Sequence, residues 1–211
     1  MARGVSAGEK EVSGMNASAE RKALLRQTLR QELRKLPESA RSEMSEKIRR
    51  HLTAQPFWKD AAAILAFVPT RTEPDIWEAV VAAAAEGRTI FLPRHQAATD
   101  KYLPVAVGNM ETDLEPGPHG ILEPSGPWPV GNVMPLDLIL VPGLGFTPSG
   151  GRLGRGRGYY DRMMAELPGV RCGVAFDLQV ISELPLEPHD ASLDHLVTPS
   201  LCLSISSRAR S

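Results

Sequence analysis

At 211 residues, with 42% hydrophobic and 23% charged side chains, the chain has the composition of one soluble globular domain with a substantial core. A formal net charge of −1 argues against a dedicated nucleic-acid binder, and two cysteines, Cys172 and Cys202, give neither a disulfide framework nor a CxxC metal pattern. The apolar run Ala61 to Val68 is eight residues long, too short to cross a bilayer, so the expectation is a cytoplasmic protein with neither a membrane nor a nucleic-acid partner.

The first nineteen residues lack the apolar stretch of a secretory signal and read as a disordered leader. From Glu20 to Leu36, Leu25, Leu29, Leu33 and Leu36 recur at helical spacing, and Pro37 closes the run. A second helix is expected over Ser39 to Ala54. Ala61 to Val68 reads as a short buried strand stopped by Pro69. Thr72-Glu-Pro-Asp75 has the composition of a helix start, leading into an alanine-rich helix that ends near Gly87.

Thr89 to Leu92 is the next strand. Residues 96 to 135 are rich in Gly, Pro and acidic side chains and read mostly as loop, with a strand at Tyr102 to Val107. Leu136 to Val141 is a buried strand, and a turn-rich stretch follows to Gly151. A helix from about Gly158 to Leu167 leads to the strand Val170 to Phe176, a short helix over Gln179 to Leu184, and a last strand starting at Leu196-Val197. Strands alternating with helices predict an α/β fold, three layers (α/β/α) with a mainly parallel central sheet. One domain over residues 20–200 is expected, with 201–211 as a tail.

The charge is unevenly spread. Residues 21 to 50 hold ten Lys/Arg against four Asp/Glu, and residues 152 to 162 hold four Arg against one Asp. Such local clusters suit a small phosphorylated ligand. The second lies in Gly151-Arg-Leu-Gly-Arg-Gly-Arg-Gly-Tyr-Tyr-Asp161, where a parallel sheet places its ligands, between a strand's carboxyl end and a helix. Its glycines let backbone N–H groups approach a phosphate, and Arg152, Arg155 and Arg157 are fork-shaped donors for phosphate oxygens. The segment is neither a GxxxxGK[ST] loop nor a GxGxxG turn. An Arg/Gly arm for single-stranded RNA is the competing reading, although such arms come as repeats in disordered context. Asp161 suits Mg²⁺ held against phosphates, or equally a helix start paired with Arg162.

The long motif, preceded by Leu140-Val-Pro-Gly-Leu-Gly-Phe146, resembles the 5-formyltetrahydrofolate cyclo-ligase (5,10-methenyltetrahydrofolate synthetase) family, and the resemblance runs from about Glu20 to Thr198. It implies ATP as co-substrate, Mg²⁺ as cofactor, and 5-formyltetrahydrofolate, with or without a polyglutamate tail, as substrate of a monomer. Lys22 and Arg26, four apart on one helix face, match the pair that reaches ATP; without the resemblance they would read as a solvated basic face. Arg152, Leu153, Gly154, Arg155, Gly156, Arg157, Gly158 and Tyr160 match the rest of the ATP site. Glu73 and Val68 match folate-contacting positions; a carboxylate suits the two donors of a pterin edge, and Glu73 also reads as a helix-cap acid. Tyr159 is expected on the folate near the reacting centre, with Arg152 and Arg157 as its catalytic companions. Asp194 matches a position implicated with Mg²⁺, and Asp161 is the other candidate metal ligand. His189 and His195 lack a third ligand at zinc spacing, and Gly120-Ile-Leu-Glu-Pro124 matches a family loop to which no role is given.

The implied reaction is cyclisation to 5,10-methenyltetrahydrofolate with release of ADP and phosphate, through a phosphorylated formyl intermediate. A sugar-phosphate or acyl-CoA enzyme of similar α/β fold would use the same loop without consuming ATP.

Overall fold

The computed structural model describes residues 7–118, 120–128, 135–186 and 191–205. The chain forms helix α1 (Ala7–Lys35), α2 (Glu38–Ala54), the single turn α3 (Pro56–Lys59), β1 (Ala63–Leu65), α4 (Trp77–Ala85), β2 (Thr89–Gln96) and β3 (Lys101–Ala106). The short strands β4 (Leu114–Pro116) and β5 (Leu122–Pro124) follow, then β6 (Leu138–Val141), β7 (Gly145–Phe146), β8 (Arg152–Leu153) and α5 (Tyr159–Glu166). The order ends with β9 (Val170–Val174), a 3₁₀ turn (Asp177–Gln179), β10 (His195–Val197) and β11 (Cys202–Ser204).

Seven strands form one sheet in the order β11-β10-β9-β6-β1-β2-β3. The pairs β10–β9, β9–β6, β6–β1 and β1–β2 are parallel, and only the edge strands β11 and β3 are antiparallel. The central strands are short and fully buried, as in a sheet covered on both faces. Ile64, Leu138 and Leu140 face Leu33, Ile48, Leu52 and Val80 from α1, α2 and α4. Their alternates Leu65, Ile139 and Val141 face Phe146, Met163 and Met164 on the α5 side. The period of two along each strand thus builds two cores and a three-layer sandwich.

Asp137 ties the centre of the sheet together. Its Oδ2 accepts from both Ala62 N and Ala63 N at 2.8 Å, clamping the start of β1 to β6. Asp137→Ala is expected to cost about 1–2 kcal/mol, read as a lower midpoint in denaturant at unchanged slope.

The structure departs from sequence expectation in five places. Helical backbone begins at Ala7, so α1 starts well ahead of Glu20, where the leucine spacing placed it. Thr72-Glu-Pro-Asp75 is not helical: Glu73 N–H closes a turn on Thr70 O, and α4 waits until Trp77, whose N–H donates to Asp75 Oδ1 at 2.9 Å. The helix expected over 179–184 is only the turn Asp177–Gln179, because the Gln179 side chain bridges Phe176 N and Gly143 O and pins that segment to the strands. The stretch 96–135 contains the hairpin β4–β5 within what reads as loop. Finally, β11 pairs with β10, adding one strand after the last one expected, at Leu196-Val197.

Candidate active site

Chain order makes the crevice. After β1 the chain moves one way, to β2; after β6 it moves the other way, to β9. Loops leaving the carboxyl ends of these adjacent strands therefore part, opening the place where parallel sheets bind ligands. A cleft of about 520 Å³ lies there. Phe67, Val68, Thr70 and Glu73 come from the loop after β1; Pro142, Gly143 and the segment Arg152 to Asp161 come from the loop after β6.

The Arg/Gly segment is held from behind by α1. Arg26 Nε donates to Gly154 O at 3.0 Å, and an Arg30 Nη donates to Arg155 O at 2.8 Å. Between these carbonyls and α5 the backbone takes φ of +109° at Gly156 and +66° at Gly158, a conformation that favours glycine. Gly158 then caps α5, so the helix's positive end faces the cleft.

Within the segment the arginines differ. Arg152 is 6% exposed and spans the cleft floor, with Nη1 on Pro142 O at 3.1 Å and Nη2 on Asp161 Oδ1 at 2.6 Å. Its Nε is buried without a partner among the described residues. Arg155 bonds Glu73 through Nε and Nη2 at 3.2 and 2.8 Å. Arg157 is exposed and reaches Tyr159 Oη at 3.3 Å. Arg152 is thus turned into the fold, and Arg155, though half exposed, is paired with a buried carboxylate, unlike the side chains of an RNA-binding arm.

Aromatic rings line the opposite wall. Tyr102 and Tyr159 meet edge to face at 4.9 Å, a favoured arrangement. Tyr159 Oη donates to Asp100 Oδ1 at 3.0 Å, where His95 Nε2 also binds at 2.9 Å; these two bonds hold the Asp100 carboxyl below its ordinary range. Asp100 sits at φ +48°, a left-handed position that aspartate tolerates better than most residues. Burial, then the neighbouring Glu123 carboxylate, pushes the Tyr102 phenol up to about 12. Burial likewise raises Tyr160 far above a free phenol. Both rings stay neutral at physiological pH.

Of the residues expected from sequence, Val68, Glu73, Arg152, Gly154, Arg155, Arg157, Gly158, Tyr159, Tyr160 and Asp161 line the cleft. Leu153 does not; it is 2% exposed and packs in the core. Gly156 stands behind the cleft wall, against Arg26. Lys22 and Arg26 lie on α1 outside the lining, with Arg26 bonded to the loop backbone. Asp194 sits at the amino end of β10, where its Oδ2 accepts Arg171 N at 2.9 Å, while the cleft lies at the carboxyl ends. No three His, Cys, Asp or Glu side chains come together among the described residues. Of the two expected metal ligands, Asp161 lies in the cleft, where its Oδ1 accepts Arg152 Nη2, and its carboxylate could hold Mg²⁺, which takes one or two carboxylates beside phosphate oxygens. His189 falls outside the described residues; His195 stacks on Phe57 at 4.2 Å, away from the cleft.

Several cleft residues are absent from that list. Arg30 carried the same basic-face signal as Lys22 and Arg26, one turn further on. Ile121, Leu122 and Glu123 form a wall from the family-like loop that received no role. Thr70 and Tyr102 gave no local signal, nor did His95 and Asp100, which stand outside the lining against Tyr159; only the β2–β3 hairpin brings the last three of these to Tyr159.

The model of the 5-formyltetrahydrofolate cyclo-ligase family matches residues 18–199. This chain belongs to that family. The curated 5-formyltetrahydrofolate cyclo-ligase of Mycolicibacterium smegmatis is 34% identical, over 84% of this chain and 93% of that protein. The mouse cyclo-ligase is 28% identical, over 82% and 91%. The solved Aquifex aeolicus 5,10-methenyltetrahydrofolate synthetase superposes with a TM-score of 0.77 at 29% identity, covering 88% of this chain and 93% of that one. The chain is accordingly an enzyme of the ligase class. No helix among the described residues is long and apolar enough to cross a membrane, and one relative, from Arabidopsis thaliana, is named as mitochondrial.

Proposed function

We propose that this enzyme cyclises 5-formyltetrahydrofolate to 5,10-methenyltetrahydrofolate, consuming ATP with Mg²⁺ and releasing ADP and phosphate. The observation that carries the proposal is the meeting, in one cleft, of an arginine-bearing glycine segment with a buried carboxylate and two neutral phenols. The first suits a polyphosphate, and the second a flat, hydrogen-bond-donating ring.

A formamide oxygen is a poor leaving group. In the proposed path it attacks the γ-phosphorus, ADP departs, and the oxygen becomes part of a phosphate ester. N10 then attacks the formyl carbon, the C–O bond breaks, phosphate leaves with that oxygen, and the N10 proton is lost. Phosphoryl transfer asks a protein mainly for positioning and charge. Arg157, exposed at the mouth, and Arg152, on the floor, supply positive charge from two sides. Lys22 and Arg26 extend it along α1. Tyr159, oriented by Asp100, contacts the folate beside the reacting carbon, and Glu73 with Val68 receives the pterin. Asp161 would hold Mg²⁺, which neutralises phosphate charge when bound.

A cytoplasmic monomer accepting folates with or without a polyglutamate tail fits this role. Purified chain with Mg²⁺ and ATP is expected to convert 5-formyltetrahydrofolate into the strongly absorbing methenyl product, with one ADP formed per turnover. Absence of that absorbance, under conditions where the mouse relative gives it, would refute the proposal. Product formation without ATP would remove the nucleotide from the scheme.

A further inference from the structure

Glu73 is the carboxylate best placed for a pterin, yet its acceptor positions are already filled. Oε1 takes Arg155 Nε at 3.2 Å and Nη2 at 2.8 Å; Oε2 takes Thr70 N at 2.9 Å and Thr70 Oγ1 at 2.8 Å. A carboxylate offers about four lone-pair sites, so none remains for an incoming donor. The Thr70 pair is local to its turn, which Glu73 N closes on Thr70 O at 2.9 Å. The Arg155 pair is not. It comes from 82 residues away, on a side chain 45% exposed, against 6% for Glu73.

The donors match in kind. Arg155 presents an N–H and an NH₂ on one carbon, and a pterin edge presents a ring N–H and an amino group on one carbon. Both arginine donors fall on Oε1, so the arginine occupies the oxygen that the turn leaves to the substrate, and its Nη2 also donates to Thr70 Oγ1 at 3.0 Å, a bond that release must break as well. Its backbone is fixed meanwhile, since Arg30 holds Arg155 O and Arg26 holds Gly154 O from α1. Release needs only a side-chain rotation, into a cleft that also holds Arg152 and Arg157.

We propose that Arg155 is a resident stand-in for the pterin: folate binding displaces it from Glu73, and the displaced guanidinium turns to the ATP phosphates. This rests on the proposed function and adds an order to it. ATP meets its full positive charge only after the folate is seated, which limits unproductive hydrolysis. The coupling is reciprocal, because each ligand must raise the other's affinity by the same factor.

Calorimetric titration of the full chain with Mg²⁺ and a non-hydrolysable ATP analogue, with and without saturating 5-formyltetrahydrofolate, measures that factor. The wild type is expected to bind the analogue on the order of tenfold more tightly with folate present. In Arg155→Ala the factor falls to about one, and folate alone binds at least as tightly as to wild type, since nothing has to be displaced. In Glu73→Gln, which loosens the pair from the other side, the analogue binds without folate as tightly as it binds wild type with folate. A wild-type factor of about one, coupling retained in Arg155→Ala, or folate binding weakened in that variant would each overturn the inference. Loss of the proposed function is a separate outcome: there, folate does not bind or no methenyl product forms. Turnover with a factor of one removes only the displacement.

Discussion

Arg152→Ala is expected to abolish turnover and to lower the melting temperature by about 6–12 °C, corresponding to about 3 kcal/mol in a chain of this size. The arginine is buried, and it alone bridges Pro142 O and Asp161 across the cleft floor. Truncation leaves a carbonyl and a carboxylate facing each other without a donor between them. Such orphaned groups cost more than the net value of the bonds they had made. Gly154, whose Cβ would stand 3.1 Å from the guanidinium, shows how closely the backbone wraps this side chain. Arg152→Lys should recover part of the stability, because it restores the charge, but little of the activity, because a lysine cannot hold both partners at once. Thermal melts alongside the methenyl assay check this. An alanine variant with wild-type melting temperature would show that the bridge contributes nothing to the fold.

Arg157→Ala, five residues away, is expected to do the opposite. Its side chain is exposed, and its contact to Tyr159 Oη, at 3.3 Å, is long. The melting temperature should move by no more than about 2 °C, since surface changes of this kind usually stay within about 0.5 kcal/mol. The turnover number should fall roughly 100- to 1,000-fold, the usual cost of removing one donor aimed at developing charge. The discriminating measurement is steady-state kinetics over a range of ATP concentrations. A loss confined to KM for ATP would make Arg157 a ground-state phosphate ligand only. Wild-type kinetics would remove it from the reaction. Together the two variants separate an arginine that builds the cleft from one that acts in it.

The sequence motif does not make that separation. Arg152, Arg155 and Arg157 look equivalent in it, three cations at short spacing among glycines. Their different surroundings come from distant parts of the chain: Pro142 below Arg152, Glu73 and Thr70 beside Arg155, and the β2–β3 hairpin near Arg157 through Tyr159. The same holds for Asp161 and Asp194, two aspartates that both suit a metal by pattern. Only sheet topology reveals that one lies at the carboxyl ends of the strands and the other at the amino end of β10. Tyr102, Asp100 and His95 carried no signal because their function depends on a hairpin register, set by pairings such as His95 with Tyr102.

What the residue order determined by itself was local and periodic. Buried runs such as Leu138 to Val141, the leucine stripe of α1 and the glycine–arginine stretch between a strand and a helix each follow from spacing and residue type. That was enough for a three-layer parallel fold, a phosphate-suited loop after β6, and a family resemblance. The tertiary structure decided how charge is shared inside the site. Hydrogen bonds among Glu73, Thr70, Arg155, Arg152 and Asp161 span up to 85 residues, so no local pattern encodes the set. They exist because β1 and β6 lie side by side while their following loops diverge, leaving a buried carboxylate that must find its cation across the gap.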